Sequence, residues 1–317
     1  MVETVDLGEG RKKISITVGE YSFSVLTQGA ILNRFTLDGK NAILGFDDYR
    51  AYIHAPSYMG EVVGPFANRI RNASYFMDGD VYTLDKNDGE NSLHSGSRNY
   101  GDEVFEIAGL SDDSVTLALL SKERAGFPGN HEVMVTYLLS SDGVLTIDYQ
   151  VRSDKRCPVN VTNHAYFNLN GGGDVREHLI RIDAEQYIRV DDNLIPASID
   201  KVEGTDFDFL SPHRIGERRG GAYDHCFCLG LEGEVVAEAG DRRLTMKTTM
   251  PGVQLYTGEF LSSDYEAYDG IPVGPFMGFC LESEYYPDFV NHPEYKGCYL
   301  EPGLTWRSTT SYKLERI

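Results

Sequence analysis

Basic residues are scarce in this sequence. Lysine and arginine number 29 against 49 aspartates and glutamates, which gives a formal net charge of -20 at pH 7 and a pI near 4.7. Nucleic acids and anionic membranes are bound through basic patches that displace counterions. The deficit therefore argues against a nucleic-acid or anionic-membrane partner, and it favours a neutral ligand.

Long apolar runs and paired cysteines are also missing. No apolar stretch approaches the roughly 20 residues of a membrane span, and the opening MVETVDLGEGRKK lacks the regions of a signal peptide. We therefore expect a cytosolic protein. Only two of the five cysteines form a Cys-x-Cys motif, and without a second pair this is poor spacing for a metal site. We expect free thiols at Cys157, Cys226, Cys228, Cys280 and Cys298 and no bound metal.

Helical periodicity is rare as well, and no linker rich in proline, glycine or serine divides the chain. The early helical candidate, residues 46–54, is short, and no strand alternates with helices as βαβ units require. We therefore expect one large domain over residues 1–317.

Period-two alternation of apolar and polar residues is common instead. It predicts strands at 14–18, 21–25 and 31–37, and later at 179–190, 235–239, 244–249 and 253–256. The clearest case is a hairpin, in which residues 133–139 and 145–151 flank the turn Ser141-Asp142-Gly143. The pattern predicts an all-β fold, a large antiparallel two-sheet β-sandwich whose rim loops and concave sheet face are candidate binding surfaces.

The hairpin leads into PVNVTNHAYFNLNG at 158–171, where the alternation of Val159 and Val161 indicates a strand that ends near His164. Amide and hydroxyl side chains surround this histidine, and Tyr166 and Phe167 offer apolar walls. Such a histidine suits proton transfer at neutral pH. The alternative is a core histidine bonded to backbone carbonyls.

Four further stretches contain candidate site residues, each with a simpler alternative. Arg69 beside Asn68 could grip hydroxyl oxygens, or it could be a surface arginine. His94 lies in a polar loop and could simply be solvated. Asp224 precedes an apolar run and could be a cap or turn residue. Glu282 follows an apolar run; burial would raise its pKa and make it a candidate base, whereas on an edge strand it would face solvent.

Six stretches in register carry a resemblance to a known family. They are GPFANRIRNASYFMDGDVYTLDKNDGENSLHSG, GFPGNHEVMVTYLL, VNVTNHAYFNLNG, YDHCFCL, PGVQLYTGEFL and GFCLESEYYPDFVNHPEY. Together they resemble the aldose 1-epimerase (galactose mutarotase) family over nearly the whole chain. The resemblance implies a galactose mutarotase-like supersandwich, a large antiparallel β-sandwich. It also implies a monosaccharide substrate whose anomers are interconverted, and a monomer or weak homodimer.

The resemblance also implies roles for individual residues. They are His164 as general acid, Glu282 as general base, His94 as a second histidine at the ring oxygen, and Asn68, Arg69, Asp224 and Gln254 as holders of sugar hydroxyls. In this scheme Glu282 takes the C1 hydroxyl proton while His164, as imidazolium, protonates the ring oxygen. We expect an ordinary carboxylate pKa and a histidine kept protonated by it. The chemistry requires neither a metal nor an organic cofactor.

The chain departs from the family pattern at Pro65, Ser95, Glu284 and the segment Pro196-Ala197-Ser198, which bears on sugar preference and on the His94 loop. Three other functions stay open. One is a glycoside hydrolase that uses Glu282 and Asp224, and another is a non-catalytic carbohydrate-binding protein. The third is a mutarotase of hexose 6-phosphates, which needs a basic cluster for which Arg69 and Arg71 are the obvious pair.

Overall fold

Antiparallel strands dominate the computed structural model, which describes residues 1–54, 57–124, 126–230 and 233–317. The first strands are β1 Val2–Gly8, β2 Arg11–Val18, β3 Tyr21–Leu26, β4 Leu32–Leu37, β5 Lys40–Asn41, β6 Val62–Val63, β7 Arg69–Ile70, β8 Ser74–Met77, β9 Asp80–Thr83, β10 Ser92–Leu93, β11 Glu106–Leu110, β12 Ser114–Ser121, β13 His131–Leu139 and β14 Val144–Ser153. The later strands are β15 Cys157–Pro158, β16 Thr162–Asn163, β17 Tyr166–Phe167, β18 Leu179–Ile182, β19 Gln186–Val190, β20 Pro196–Lys201, β21 His213–Arg214, β22 Asp224–Cys228, β23 Glu234–Ala239, β24 Arg242–Thr248, β25 Gly252–Tyr256, β26 Phe279–Glu284, β27 Tyr299–Leu300 and β28 Thr305–Arg316.

Helices are few and short in the described residues. The α-helix α1 spans Arg50–His54, and the 3₁₀ turns are Arg71–Ala73, Gly96–Arg98, Tyr100–Asp102, Val175–Glu177, Ile215–Glu217, Arg219–Gly221, Tyr268–Gly270 and Phe289–Asn291. Within this part of the chain, none of the helices reaches the length and hydropathy needed to cross a bilayer.

Three larger sheets organise the molecule. The strand orders are β1-β2-β3-β4-β5, β11-β12-β13-β14-β28-β24-β23-β18-β21 and β17-β26-β25-β22-β19-β20, and the other four sheets among the described residues have two strands each. The nine-stranded and six-stranded sheets share one apolar core. Across it, the hydroxyl of Tyr312 on β28 donates to the carbonyl of Leu281 on β26 at 3.0 Å, and Ser283 and Thr310 bond through their hydroxyls at 2.6 Å. The inner face of the six-stranded sheet is therefore core, and its outer face is left for the pocket described below.

The predicted all-β antiparallel class is confirmed, and so is the hairpin of β13 and β14, whose register pairs Val135 with Tyr149. The strand character predicted through 179–190 is confirmed, and the structure divides it between two strands. The two halves are β18 in the nine-stranded sheet and β19 in the six-stranded sheet, because each half pairs with a different neighbour. Of the helical candidate 46–54, only Arg50–His54 is helical. The five cysteines are free, as expected.

The strand expected around Val159 and Val161 is wrong, since 157–167 forms three two-residue strands, β15, β16 and β17. Side-chain hydrogen bonds replace a continuous ladder there. The Asn160 amide oxygen accepts the N–H of Tyr285 at 2.7 Å, and Asn163 Nδ2 donates to the carbonyl of Gly60 at 2.7 Å. Such bonds compete with regular strand pairing. They let the chain turn between sheets and leave His164 between β16 and β17.

Candidate active site

Three neighbouring strands of the six-stranded sheet build the floor of a pocket. In β26, β25 and β22, antiparallel pairing sets Glu282 opposite Gln254, and Tyr256 opposite both Cys280 and Asp224. Directly paired residues share a face of the sheet, and side chains alternate along each strand. The apolar residues between these positions enter the core. The five named side chains therefore share the outer face.

Loops surround this face and form a pocket of about 820 Å³ that is open to solvent on one side. Six of the seven predicted site residues line it, namely His164, Glu282, His94, Asn68, Arg69 and Asp224. Gln254 lies next to the lining and donates from Nε2 to Oδ1 of Asp224 at 2.5 Å. Residues from distant parts of the sequence therefore meet in one cavity.

His164 and Glu282 face each other in this pocket. Nε2 of His164 lies 3.6 Å from Oε1 of Glu282, and the two residues are 4% and 2% exposed. The backbone of His164 is fixed because its N–H donates to the carbonyl of Glu61 and its carbonyl accepts the N–H of Gly60, both at 2.9 Å. Glu282 lies on an interior strand of the sheet, so the edge-strand alternative does not hold.

In the protein without bound sugar, burial opposes the expected charge states of this pair, which were a carboxylate at Glu282 and an imidazolium at His164. Burial lowers the pKa of His164 to about 4. Burial, followed by the charge of Asp224, raises the pKa of Glu282 well above its usual range, although Arg69 acts in the opposite direction. Loss of water penalises both charged forms, so a neutral imidazole beside a protonated carboxyl is favoured. This state holds as many protons as the expected ion pair, and one proton transfer interconverts them.

Aromatic rings shield the side chain of His164 from solvent. The ring centroids of Tyr166, Tyr58 and Tyr256 lie 5.1, 5.9 and 6.2 Å from that of His164. On the far side of the imidazole, Nδ1 lies 3.4 Å from Sγ of Cys280. The Nδ1 edge of the imidazole therefore contacts Cys280, and its Nε2 edge faces the carboxyl of Glu282.

His94 is a second buried imidazole, 6% exposed, with its ring centroid 5.4 Å from that of His164 and nearly perpendicular to it. The backbone N–H of Asn68 donates to Nδ1 of His94 at 3.1 Å. Burial, followed by His164, lowers the pKa of His94 well below its usual range. A neutral ring that accepts at Nδ1 carries its proton on Nε2. His94 is therefore a hydrogen-bond donor, and the solvated-loop alternative does not hold.

Ser95 accounts for the shape of the His94 loop. Both residues have left-handed backbone, with φ of 51° at His94 and 68° at Ser95. The Ser95 hydroxyl accepts the N–H of Phe66 at 2.8 Å and donates to the carbonyl of Phe66 at 3.0 Å. These two buried bonds tie the loop to the segment that carries Asn68, and they offset the strained backbone.

Arg69 is the centre of a charged network at the side of the pocket. It is only 9% exposed, so it is not a surface arginine. Its Nε donates to Oδ2 of Asp88 at 2.8 Å, and its Nη1 donates to Oδ2 of Asp224 at 3.2 Å. Since Gln254 holds the other oxygen of Asp224, both oxygens have fixed partners. Arg69, Asp88, Asp224 and Gln254 form a set of donors and acceptors suited to hydroxyl groups.

One titratable cluster in the described residues has the spacing of a metal site. Ligand atoms of His94, His164 and Glu282 lie within 4.8 Å of one another. The bond from Asn68 N–H to Nδ1 of His94 opposes that role, because a ligating Nε2 requires the proton on Nδ1, where it would meet that N–H. The three residues fit proton transfer better than metal binding.

Sequence reasoning missed several residues of the pocket. Tyr58, Asp88 and the segment 191–195 lie in irregular regions with no periodic signal. Glu284, which the sequence marked only as a departure from the family pattern, lies behind the pocket lining, two residues after Glu282 and so on the same side of β26. It is fully buried, and its Oε1 accepts Nδ2 of Asn68 at 3.1 Å.

The chain is similar to known proteins over most of its length. The family model described as aldose 1-epimerase matches residues 12–313. The aldose 1-epimerase of Escherichia coli is 37% identical over 294 residues, which cover 86% of this chain and 85% of that protein. The galactose mutarotase of Bos taurus is 37% identical over 287 residues, covering 86% of this chain and 83% of that protein.

Solved structures show the same fold. An aldose epimerase homologue from C. elegans superposes with a TM-score of 0.91 at 24% identity over 100% of both chains. The galactose 1-epimerase of Lactobacillus acidophilus superposes with a TM-score of 0.85 at 25% identity, covering 100% of this chain and 98% of the other. With the family model spanning nearly the whole sequence, the chain belongs to the aldose 1-epimerase family, a family of isomerases.

Proposed function

We propose that this protein is an aldose 1-epimerase that interconverts the α and β anomers of a free hexose such as galactose or glucose. One observation supports this proposal above the others: two buried titratable groups, His164 and Glu282, approach to 3.6 Å in a cavity with hydroxyl-binding groups on its wall. Anomer exchange requires one acid, one base and a means of holding the ring. The pocket offers all three.

The proposed reaction is a pair of coupled proton transfers. Glu282, as carboxylate, accepts the proton of the C1 hydroxyl, C1 becomes a carbonyl carbon, and the bond from C1 to the ring oxygen breaks. His164, as imidazolium, gives its proton to that ring oxygen, and His94 donates a hydrogen bond there from Nε2. Rotation about C1–C2 and reclosure on the other face reverse the transfers and give the other anomer. Acid–base assistance of this kind contributes about 10²–10⁴-fold.

The pKa shifts identify which protonation state of the His164–Glu282 pair burial favours. After ring opening, the proposed pair is a neutral imidazole and a protonated carboxyl, which is the state favoured by burial. The closed sugar corresponds to the ion pair with the same number of protons. Burial therefore lowers the free energy of the open-chain aldehyde complex relative to the closed complex that contains the ion pair, and the resting neutral pair must first pass one proton from Glu282 to His164.

Arg69, Asp88 and Asp224 support the proposed positioning role. Sugar hydroxyls both donate and accept, and the network offers guanidinium N–H donors beside carboxylate acceptors. Asn68 and Gln254 hold this network in place, since Asn68 Oδ1 accepts the backbone N–H of Arg69 and Gln254 Nε2 donates to Asp224. Fixing the ring in a reactive orientation adds to the acid–base contribution.

The other candidate functions fit less well. A hydrolase that used Asp224 as a proton donor would need a free carboxyl, whereas both its oxygens accept hydrogen bonds from Arg69 and Gln254. A sugar-binding protein has no need of a desolvated His164–Glu282 pair. A phosphorylated hexose would meet the acidic side chains of the pocket wall, which are Asp88, Glu90, Asp191, Asp192 and Asp224.

Polarimetry tests the proposal directly. Freshly dissolved α-D-galactose and α-D-glucose are mixed with the protein, and the decay of optical rotation is followed. We expect a decay faster than the spontaneous one, in proportion to protein concentration. Spontaneous rates with both sugars would refute the proposal.

The remaining parts of the proposal concern the molecule as a whole. We propose a single domain over 1–317, located in the cytosol, acting as a monomer or weak homodimer without nucleic-acid partners. The shared apolar core of the nine-stranded and six-stranded sheets, the five free cysteines and the net charge of -20 support these properties. Size-exclusion chromatography with light scattering would test the oligomeric state.

A further inference from the structure

Glu284 occupies a buried position next to the proposed base. It is the next residue after Glu282 on the outer face of β26, and it is 0% exposed. Its partner on β25 is Gly252, where an added Cβ would lie 2.8 Å from Sγ of Cys226. The carboxyl of Glu284 therefore lies beside Glu282 in a region closed to solvent.

The contacts of Glu284 connect it to the groups that line the pocket. Its Oε1 accepts Nδ2 of Asn68 at 3.1 Å. Asn68 in turn accepts the backbone N–H of Arg69 on Oδ1 at 2.8 Å and donates its own backbone N–H to Nδ1 of His94 at 3.1 Å. Because Oδ1 is occupied by Arg69, the Asn68 amide presents its NH₂ to Glu284. One buried carboxyl thus fixes the residue to which both Arg69 and His94 are bonded.

The second oxygen of Glu284 indicates its protonation state. Oε2 is buried and has no hydrogen-bond partner among the described residues, which is costly for a carboxylate and less so for a neutral acid. Burial, followed by the charge of Glu282, raises the pKa of Glu284 well above its usual range. The other charged or titratable side chains that bear on it are Asp224, Cys226 and Arg69. Two carboxyls so placed do not both ionise at neutral pH.

We infer that Glu284 is a positioning residue of the anomer interconversion that works as a neutral carboxylic acid. It holds Asn68, and through it Arg69 and His94, without placing a second negative charge beside Glu282. This inference rests on the proposed function. A primary amide has the shape of the neutral acid, so glutamine should reproduce the positioning and alanine should not.

The kinetic test compares Glu284→Gln, Glu284→Ala and wild type by polarimetry across pH. We expect Glu284→Ala to raise KM at neutral pH by about tenfold, since Asn68 loses its partner, and Glu284→Gln to restore it. In the Gln variant, the alkaline decline of kcat/KM moves to lower pH, because no second carboxylate can repel the charge of Glu282 and raise its pKa. Glu132→Gln, an exposed position on β13, is the control for loss of one negative charge.

A stability test separates this inference from the proposed function. A carboxyl whose pKa is raised by folding stabilises the fold below its unfolded pKa, and this contribution is lost as pH rises through its folded pKa. Glutamine does not titrate. The melting temperature of wild type should therefore fall relative to that of Glu284→Gln as pH rises above the ordinary glutamate value of 4.5. This readout needs no catalytic activity.

The outcomes are distinct. Spontaneous mutarotation rates with wild-type protein would overturn the proposed function, while a pH-dependent difference in melting temperature would still support a neutral Glu284. With active wild type, a Gln variant as impaired as the Ala variant would mean that the carboxylate is needed, and would overturn the inference. A Gln variant whose pH profile and melting temperatures parallel wild type at every pH would overturn it too. Near-UV circular dichroism checks that each variant is folded. If the Ala variant does not fold, the comparison of the isosteric Gln variant with wild type still tests the inference.

Discussion

Nε2 of His164 lies 3.6 Å from Oε1 of Glu282, although one residue follows β16 and the other is on β26 of the six-stranded sheet. Both are almost fully buried, and burial shifts their pKa values in opposite directions, toward the neutral forms. Two groups so placed titrate as a pair. The active form of the proposed enzyme is therefore the pair with one proton, whichever residue carries it.

This protonation scheme predicts the pH dependence of kcat/KM, which reports groups of the free enzyme. A second proton must bind to His164, whose pKa is lowered to about 4, so activity should fall only near that pH. The alkaline decline should reflect loss of the single shared proton, at a pH set by the raised pKa of Glu282. The profile should be flat through neutral pH. An acid decline centred at the ordinary histidine value of 6.5 would contradict the scheme.

Arg69→Lys should weaken sugar binding more than it slows the chemical step. Lysine cannot reproduce the fork that donates to both Asp88 and Asp224, so the two carboxylates lose their fixed separation. We expect KM to rise about tenfold or more, corresponding to roughly 1.4 kcal/mol or more of lost binding free energy, with a smaller change in kcat.

The control for this prediction is Arg181→Lys, because Arg181 pairs with Glu234 on the nine-stranded sheet. That variant should match wild type in initial-rate polarimetry. An Arg69→Lys variant with unchanged KM and reduced kcat would assign Arg69 to the chemical step instead.

Ser95→Ala should lower both the stability of the protein and its rate of mutarotation. The substitution leaves the buried N–H of Phe66 without its acceptor and keeps a residue other than glycine at φ 68°. We expect a loss of about 1–3 kcal/mol in the free energy of unfolding, measured by urea denaturation.

Ser95→Gly separates the two effects. It loses the same hydrogen bonds but relieves the left-handed backbone, so it should be more stable than the alanine variant. If the two variants are equally stable, the backbone conformation contributes nothing and the hydroxyl alone matters.

Sequence patterns predicted the fold class well, because a strand with one buried and one exposed face alternates apolar and polar residues with a period of two. They did not show that the strands within 179–190 belong to two different sheets, and they failed where side-chain amides replace the ladder, as at Asn160. The choice of sheet depends on contacts between distant segments, which no local pattern records.

The location of the site was predicted better than its electrostatics. His164, Glu282 and Arg69 lie in polar stretches that interrupt apolar ones, and the structure brings them to one cavity. Their burial, which shifts both pKa values of the acid–base pair, depends on Tyr58 and Tyr256 from other parts of the chain. Asp88 was missed for the same reason, since only the folded chain brings it to Arg69.

The most direct test of the central claim is polarimetry of Glu282→Gln, His164→Gln and the double variant against wild type and the controls Glu132→Gln and His213→Gln. We expect each single variant to lose about 10²–10⁴-fold in kcat, and the double variant to lose little more than either, because the two residues act as a unit. Both controls should match wild type. A folded single variant that keeps near-wild-type kcat would contradict the assignment of His164 and Glu282 as the proton-transfer pair.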